Sequence, residues 1–319
     1  MPVDPQVQIL LDQAASTIPL EMLSPAHART AMLVQTAMLG PSEAVAQVAD
    51  RTIPGPRHKI PIRVYTPTGP TPQGTVVFFH GGGWVIGSID THDGLCRALA
   101  NAARCAVVSV EYRLAPEHPY PACRDDAFAA TCWVAEHGHE IGVNPERIAV
   151  VGDSAGGNLA TVVALMARDR GAPSLALQVL LYPVVNCDFE TRSYHEYAEG
   201  YLLTRATMAW FWQLYLANGN DSREPYVAPL CAGDLSRLPA ALVITAEYDP
   251  LCDEGDAYAV RLMDAGVEVT HVRYPGMVHG FVRRMNLLDA GRRALELVAD
   301  VVRQRLGIEE GTRQMTKDK

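Results

Sequence analysis

The chain has 319 residues, 48% of them hydrophobic and 20% charged, which is enough to bury a large core and excludes a disordered chain. Its 27 Lys and Arg against 36 Asp and Glu leave a net charge of −9. That balance argues against a non-specific nucleic-acid or anionic-membrane binder, which needs a basic face.

In chain order, Val7–Ala15 and Ser24–Leu39 read as two short helices, the second opened by Ser24-Pro25 and closed by Gly40-Pro41. Ile60–Thr66 alternates like a half-exposed strand. Thr75–Phe79, Ala106–Val110, Ile148–Val151, Leu177–Leu181 and Ala241–Thr245 are short, apolar strands, and Val267–Tyr274 is a further one. Helical patterns lie between and after them at His92–Ala103, Ala122–Glu136, Ala155–Asp169, Glu254–Ala265 and Leu287–Leu306. Near-continuous apolar strands alternating with helices predict an α/β fold with a mostly parallel sheet covered on both faces. Residues 186–223 interrupt this rhythm with an aromatic helical run, Thr204–Ala217, containing Trp210, Phe211, Trp212 and Tyr215. That run needs an apolar partner, and the N-terminal helices are the candidates. The expected organisation is a helical cap from 1–50 plus 186–223, a catalytic domain from 51–185 plus 224–307, and a flexible polar tail over 308–319.

No apolar run reaches the roughly 18–20 residues of a membrane-spanning helix. Met1-Pro2-Val3-Asp4 lacks the basic and apolar regions of a signal peptide. Seven dispersed cysteines without a CxxC pair suit free thiols in a reducing cytoplasm.

The sharpest chemical signal is Gly152-Asp153-Ser154-Ala155-Gly156, a G-x-S-x-G after one strand and opening a helix. That setting defines a nucleophile elbow, where glycines remove clashes in a tight turn and the serine oxygen is lifted above the sheet. A serine hydroxyl needs a base. In this motif's chain order an acid and then a histidine follow the serine. Only His271 and His279 lie late enough. His271 sits within a strand, whereas His279 lies in a loop past a strand end, so His279 is the expected base. Asp249, in the loop after Ala241–Thr245, is the expected acid, with Glu247 as the rival. Asp253 and Glu254 fit the start of the next helix, facing its dipole.

His80-Gly81-Gly82-Gly83-Trp84 directly follows the strand Thr75–Phe79, as an oxyanion loop does. Ala155, the residue after the nucleophile, supplies a further N–H. Trp84 either lines the acyl pocket or packs, and Asp153 is read as a brace for the elbow. Glu136-His137-Gly138-His139-Glu140 reads as a solvated helix end, so no metal is expected.

Together with Tyr112-Arg113-Leu114-Ala115-Pro116-Glu117, Asp249-Pro250-Leu251 and His279-Gly280-Phe281, these segments resemble the bacterial hormone-sensitive-lipase-like carboxylesterases of the α/β-hydrolase superfamily. The resemblance runs from about residue 60 to 305. It implies Ser154 as nucleophile, Asp249 as acid and His279 as base. It further implies Gly82, Gly83 and Ala155 as oxyanion donors, a cap, short- to medium-chain acyl esters as small-molecule substrates, no cofactor and a homodimer. One departure is Cys252, where the family usually carries Arg. The same triad also serves amidases and peptidases. A non-catalytic receptor would be expected to have a broken triad, and a dehalogenase-like enzyme would place Asp, not Ser, at the elbow.

Overall fold

A computed structural model describes residues 2–69, 74–217 and 219–308. Past Ile308, the expected tail lies outside the described residues. Eight strands form one sheet in the order β1-β2-β4-β3-β5-β6-β7-β8. They are β1 (Gln47–Pro54), β2 (Lys59–Thr66), β3 (Thr75–Phe79), β4 (Ala106–Val110), β5 (Ile148–Asp153), β6 (Leu177–Leu181), β7 (Ala240–Tyr248) and β8 (Val269–Val278). From β4 to β8 every neighbouring pair is parallel, whereas β2 runs antiparallel to both of its neighbours, β1 and β4.

The helices are α1 (Pro5–Ala14), α2 (Pro25–Ala37), α3 (Asp93–Ala103), α4 (Ala122–His137), α5 (Ala155–Arg170), α6 (Arg192–Glu196), α7 (Arg205–Tyr215), α8 (Cys252–Asp264) and α9 (Asp289–Leu306). Side chains alternate across each strand. Val77 and Phe79 of β3 join α4, α5 and α8 in one core, while Val76 and Phe78 join α3 and α9 in the other. Both faces are therefore dry, which is why the central strands read as unbroken apolar runs.

Two strand assignments differ from the sequence reading. β1 was not expected, and it starts at Gln47, inside the stretch assigned to the cap. Only its Ile53 is buried, so the segment carries no apolar alternation; pairing with β2 from Gln47↔Thr66 to Pro54↔Lys59 holds it instead. β8 continues past Tyr274 through Pro275 and Gly276 to Val278. A register shift between Ala246 and Tyr248 absorbs the extra residues, so Ala246 faces Tyr274 and Tyr248 faces Val278. The Gly276 N–H donates to Glu247 Oε2 at 2.7 Å, which pins this irregular stretch.

The aromatic face of α7 finds its partners chiefly on the body of the sheet domain. Trp84 stacks on Tyr215 with ring centroids 4.1 Å apart and meets Trp212 at 4.6 Å. Tyr120 meets Tyr215 edge-on. The link to the N-terminal segment is polar, from Thr207 Oγ1 to Glu21 Oε2 at 2.6 Å. α2 is fixed by Arg29, whose guanidinium donates to the carbonyls of Val85 and Ala115 and to both oxygens of Glu117.

Asp253 and Glu254 open α8, but their carboxylates serve more than the dipole. Asp253 accepts the Ser193 N–H at 2.8 Å. Glu254, only 1% exposed, accepts the N–H groups of Val185 and Asn186. Burial pushes the Glu254 carboxyl well above its ordinary value of 4.5, against those two donors, and nearby Asp249 adds to the rise. A raised folded-state value means that this group's stability contribution is full below the unfolded value and is lost as pH rises. Glu254→Gln, which cannot ionise, should therefore gain stability relative to the wild type between pH 4 and pH 8. Denaturant titration at both pH values reads this, and a pH-independent difference between the two proteins would refute it.

Candidate active site

Ser154 stands at the turn between β5 and α5 with φ 57° and ψ −119°, a sparsely populated conformation for a residue with a side chain. The turn is held from several sides. The Ser154 N–H donates to Leu181 O at 2.8 Å, and the Ser154 carbonyl accepts from Val184 and Asn158. Asn158, fully buried, donates from Nδ2 to the carbonyls of Val184 and Val227, tying α5 to the exit of β6 and to the segment between α7 and β7. A Cβ at Gly156 would overlap the Phe79 carbonyl oxygen, so the helix can approach β3 only with glycine there.

His279 Nε2 lies 2.9 Å from Ser154 Oγ, and His279 Nδ1 lies 2.7 Å from Asp249 Oδ2. The register shift explains this meeting. Tyr248 and Val278 are paired across β7 and β8, and Asp249 and His279 are the next residues on each strand. Asp249 is fully buried and its Oδ1 accepts the Leu251 N–H at 2.9 Å. A carboxylate so fixed accepts from Nδ1–H, which leaves Nε2 free to accept the serine proton. Tyr182, with φ 37°, sets its ring edge-on to the imidazole at 4.8 Å. The sequence offered no signal for that contact.

The rival groups are occupied elsewhere. Glu247 binds Gly276. His271 Nε2 sits 2.8 Å from Asp256 Oδ1, and burial lowers its pKa. His137 pairs with Glu140 at an exposed helix end. Cys252 is buried, and that burial pushes its thiol up to about 12, far from the range of a reactive thiolate.

The loop expected to receive the oxyanion leaves β3 at His80. The Gly81 N–H donates to Asp153 Oδ1 at 2.8 Å, whereas those of Gly82 and Gly83 donate to no acceptor among the described residues. Ala155 opens α5, where first-turn N–H groups have no partner within the helix. Gly83 has φ 58°, and a Cβ there would overlap the Phe211 ring. Trp84 is fully buried in the aromatic layer beneath α7, so packing accounts for it. A cavity of about 460 Å³ lies beside this loop between α2 and Gly87–Thr91, lined also by Leu114 and His118. Ser154, Asp249 and His279 do not line it.

A serine at a strand–helix turn, hydrogen-bonded to a histidine and through it to an aspartate at the ends of parallel strands, is the arrangement of an α/β-class hydrolase. The profile for the alpha/beta hydrolase fold matches residues 76–283. The carboxylic ester hydrolase LipN of Mycobacterium tuberculosis is 46% identical over 275 residues, 84% of this chain and 71% of that protein. An arylesterase of Saccharolobus solfataricus is 39% identical over 285 residues, covering 88% of this chain and 93% of its own. A hyperthermophilic esterase structure from Pyrobaculum calidifontis superposes with a TM-score of 0.92 at 45% identity, covering 95% of this chain and 99% of that one. The chain belongs to the α/β-hydrolase family, in its hormone-sensitive-lipase-like branch.

If Asp249 orients His279, Asp249→Asn should lower kcat by about 10³–10⁴-fold, by analogy with other triads. Glu247→Gln should stay within about tenfold, since its contact is with the strand irregularity. Steady-state kinetics of the two variants decide between the acids, and the reverse ranking would exclude Asp249.

Proposed function

We propose that the chain is a serine carboxylesterase that hydrolyses short- to medium-chain acyl esters with Ser154, His279 and Asp249 as its triad. The observation that carries this reading is the continuous relay from Ser154 Oγ through His279 to Asp249, at 2.9 and 2.7 Å. His279 Nε2 takes the serine proton as Oγ attacks the ester carbonyl. The oxyanion is received by the N–H groups of Gly82, Gly83 and Ala155. His279 returns the proton to the departing alcohol. Water, deprotonated by His279, then attacks the acyl-enzyme, and collapse of the second tetrahedral intermediate releases the acid and frees Ser154.

In the same reading, residues before β1 together with 186–223 form a cap over the sheet, supported by the Thr207–Glu21 and Arg29 contacts. A cytoplasmic setting accords with seven unpaired cysteines. A homodimer is part of the proposal and should appear in sedimentation as a species near twice 34.7 kDa. A single species at the monomer mass would remove it.

The central test compares p-nitrophenyl esters of increasing acyl length with wild type and Ser154→Ala. Hydrolysis should peak at short chains and fall by at least about 10⁴-fold in the folded variant. Matched anilides should be cleaved far more slowly. Anilide turnover exceeding ester turnover would replace the esterase reading with an amidase one.

A further inference from the structure

Asp153 precedes the nucleophile and is only 4% exposed. Its Oδ1 accepts the Gly81 N–H at 2.8 Å. His92 Nε2 lies 3.2 Å from Oδ1 and 3.4 Å from Oδ2. His92 is 1% exposed, and its Nδ1 is 2.8 Å from Thr91 Oγ1. His92 Nε2 also lies 3.4 Å from the Gly81 nitrogen, so the imidazole, the carboxylate and the loop amide meet at one buried point. Burial opposes the charge on Asp153, but the neighbouring His92 and Arg283 outweigh it and hold the carboxyl below its ordinary value. The far side of the loop is also fixed. The Tyr112 hydroxyl donates to His80 O at 2.6 Å, and the two rings stack at 4.2 Å.

The expected oxyanion donors come from two elements. Gly82 and Gly83 stand on the loop after β3, and Ala155 stands at the start of α5. Asp153 lies two residues before Ala155, and its hydrogen-bond partner Gly81 lies one residue before Gly82. We propose that Asp153, oriented by His92, is a positioning residue that sets the spacing between the two halves of the oxyanion hole. It acts on the transition state and not on ground-state substrate binding. This rests on the esterase reading above, and it adds His92 and Asp153 to the residues that reading uses.

The test measures ester kinetics and the affinity of a trifluoromethyl ketone, whose serine adduct carries the oxyanion. Four variants are compared with wild type and Ser154→Ala. Asp153→Ala should lower kcat by about 10²-fold, within the range seen for loss of one oxyanion donor, with KM within about threefold. Ketone affinity should fall in parallel with kcat/KM. Asp153→Asn, which still accepts from Gly81, should lose less. His92→Gln, which keeps a donor near Nε2, should recover most of what His92→Ala loses.

A kcat for folded Asp153→Ala within threefold of wild type overturns the proposal. So does a rise in KM that accounts for the whole loss, or a ketone affinity that does not move. If Asp153→Ala does not fold, Asp153→Asn and the two His92 variants decide by the same criteria. Failure of all four to fold assigns the network to stability and also overturns it. A wild type inactive on esters, or an active Ser154→Ala, would instead overturn the esterase reading itself.

Discussion

The site depends on one constraint in the sheet, the register shift between β7 and β8. Parallel strands deliver their C-terminal ends to one edge, but neighbours in simple register would not bring Asp249 beside His279. The extra residues at Pro275 and Gly276 are taken up without breaking the pairing, and Tyr248 and Val278 end face to face. Asp249 and His279, the proposed acid and base, then extend from the ends of adjacent strands. Positioning of this kind is what intramolecular catalysis requires, since small displacements of reacting groups cost large factors in rate. Glu247 contributes by holding Gly276, so the residue that rivals Asp249 in the sequence supports it in the structure.

Three buried carboxylates surround this edge, and backbone donors hold each of them. Asp249 takes the Leu251 N–H, Asp153 the Gly81 N–H, and Glu254 those of Val185 and Asn186. An uncompensated buried charge costs several kcal/mol, so such groups persist only where donors are fixed around them. Asp249 and Asp153 each add a histidine, His279 and His92. Glu254 has no such partner, and its carboxyl is driven toward the neutral form. The same residue type at one sheet edge is thus held in different states by its immediate neighbours.

What the sequence made legible follows from how local each feature is. Ser154 was readable because strand, turn, glycines and helix all lie within a few residues. The two core faces were readable because doubly covered strands leave an unbroken apolar trace. β1 was not, since a strand with only Ile53 buried has no pattern to detect. The continuation of β8 was hidden by Pro275 and Gly276, which usually end a strand. Asp249 and His279 were placed in loops near the right strand ends, but the pairing that joins them is a tertiary fact. The contact between His92 and Asp153 spans 61 positions, so no spacing rule could announce it.

The aromatic helix illustrates a further limit. Its composition demanded an apolar partner, and the partner proved to be Trp84 of the loop after β3 together with Tyr120. Gly83 lies directly against Phe211, so α7 rests on the residue expected to receive the oxyanion. Arg29 adds a second restraint, because it draws the Val85 carbonyl toward α2. The loop is therefore packed from above by α7 and α2 and tied from below by Asp153 and Tyr112. A glycine-rich segment has high intrinsic freedom, and here that freedom is removed by contacts on both sides. In the proposed mechanism the elements that cover the sheet serve catalysis even where they touch no substrate, by keeping the expected donors of Gly82 and Gly83 in one orientation.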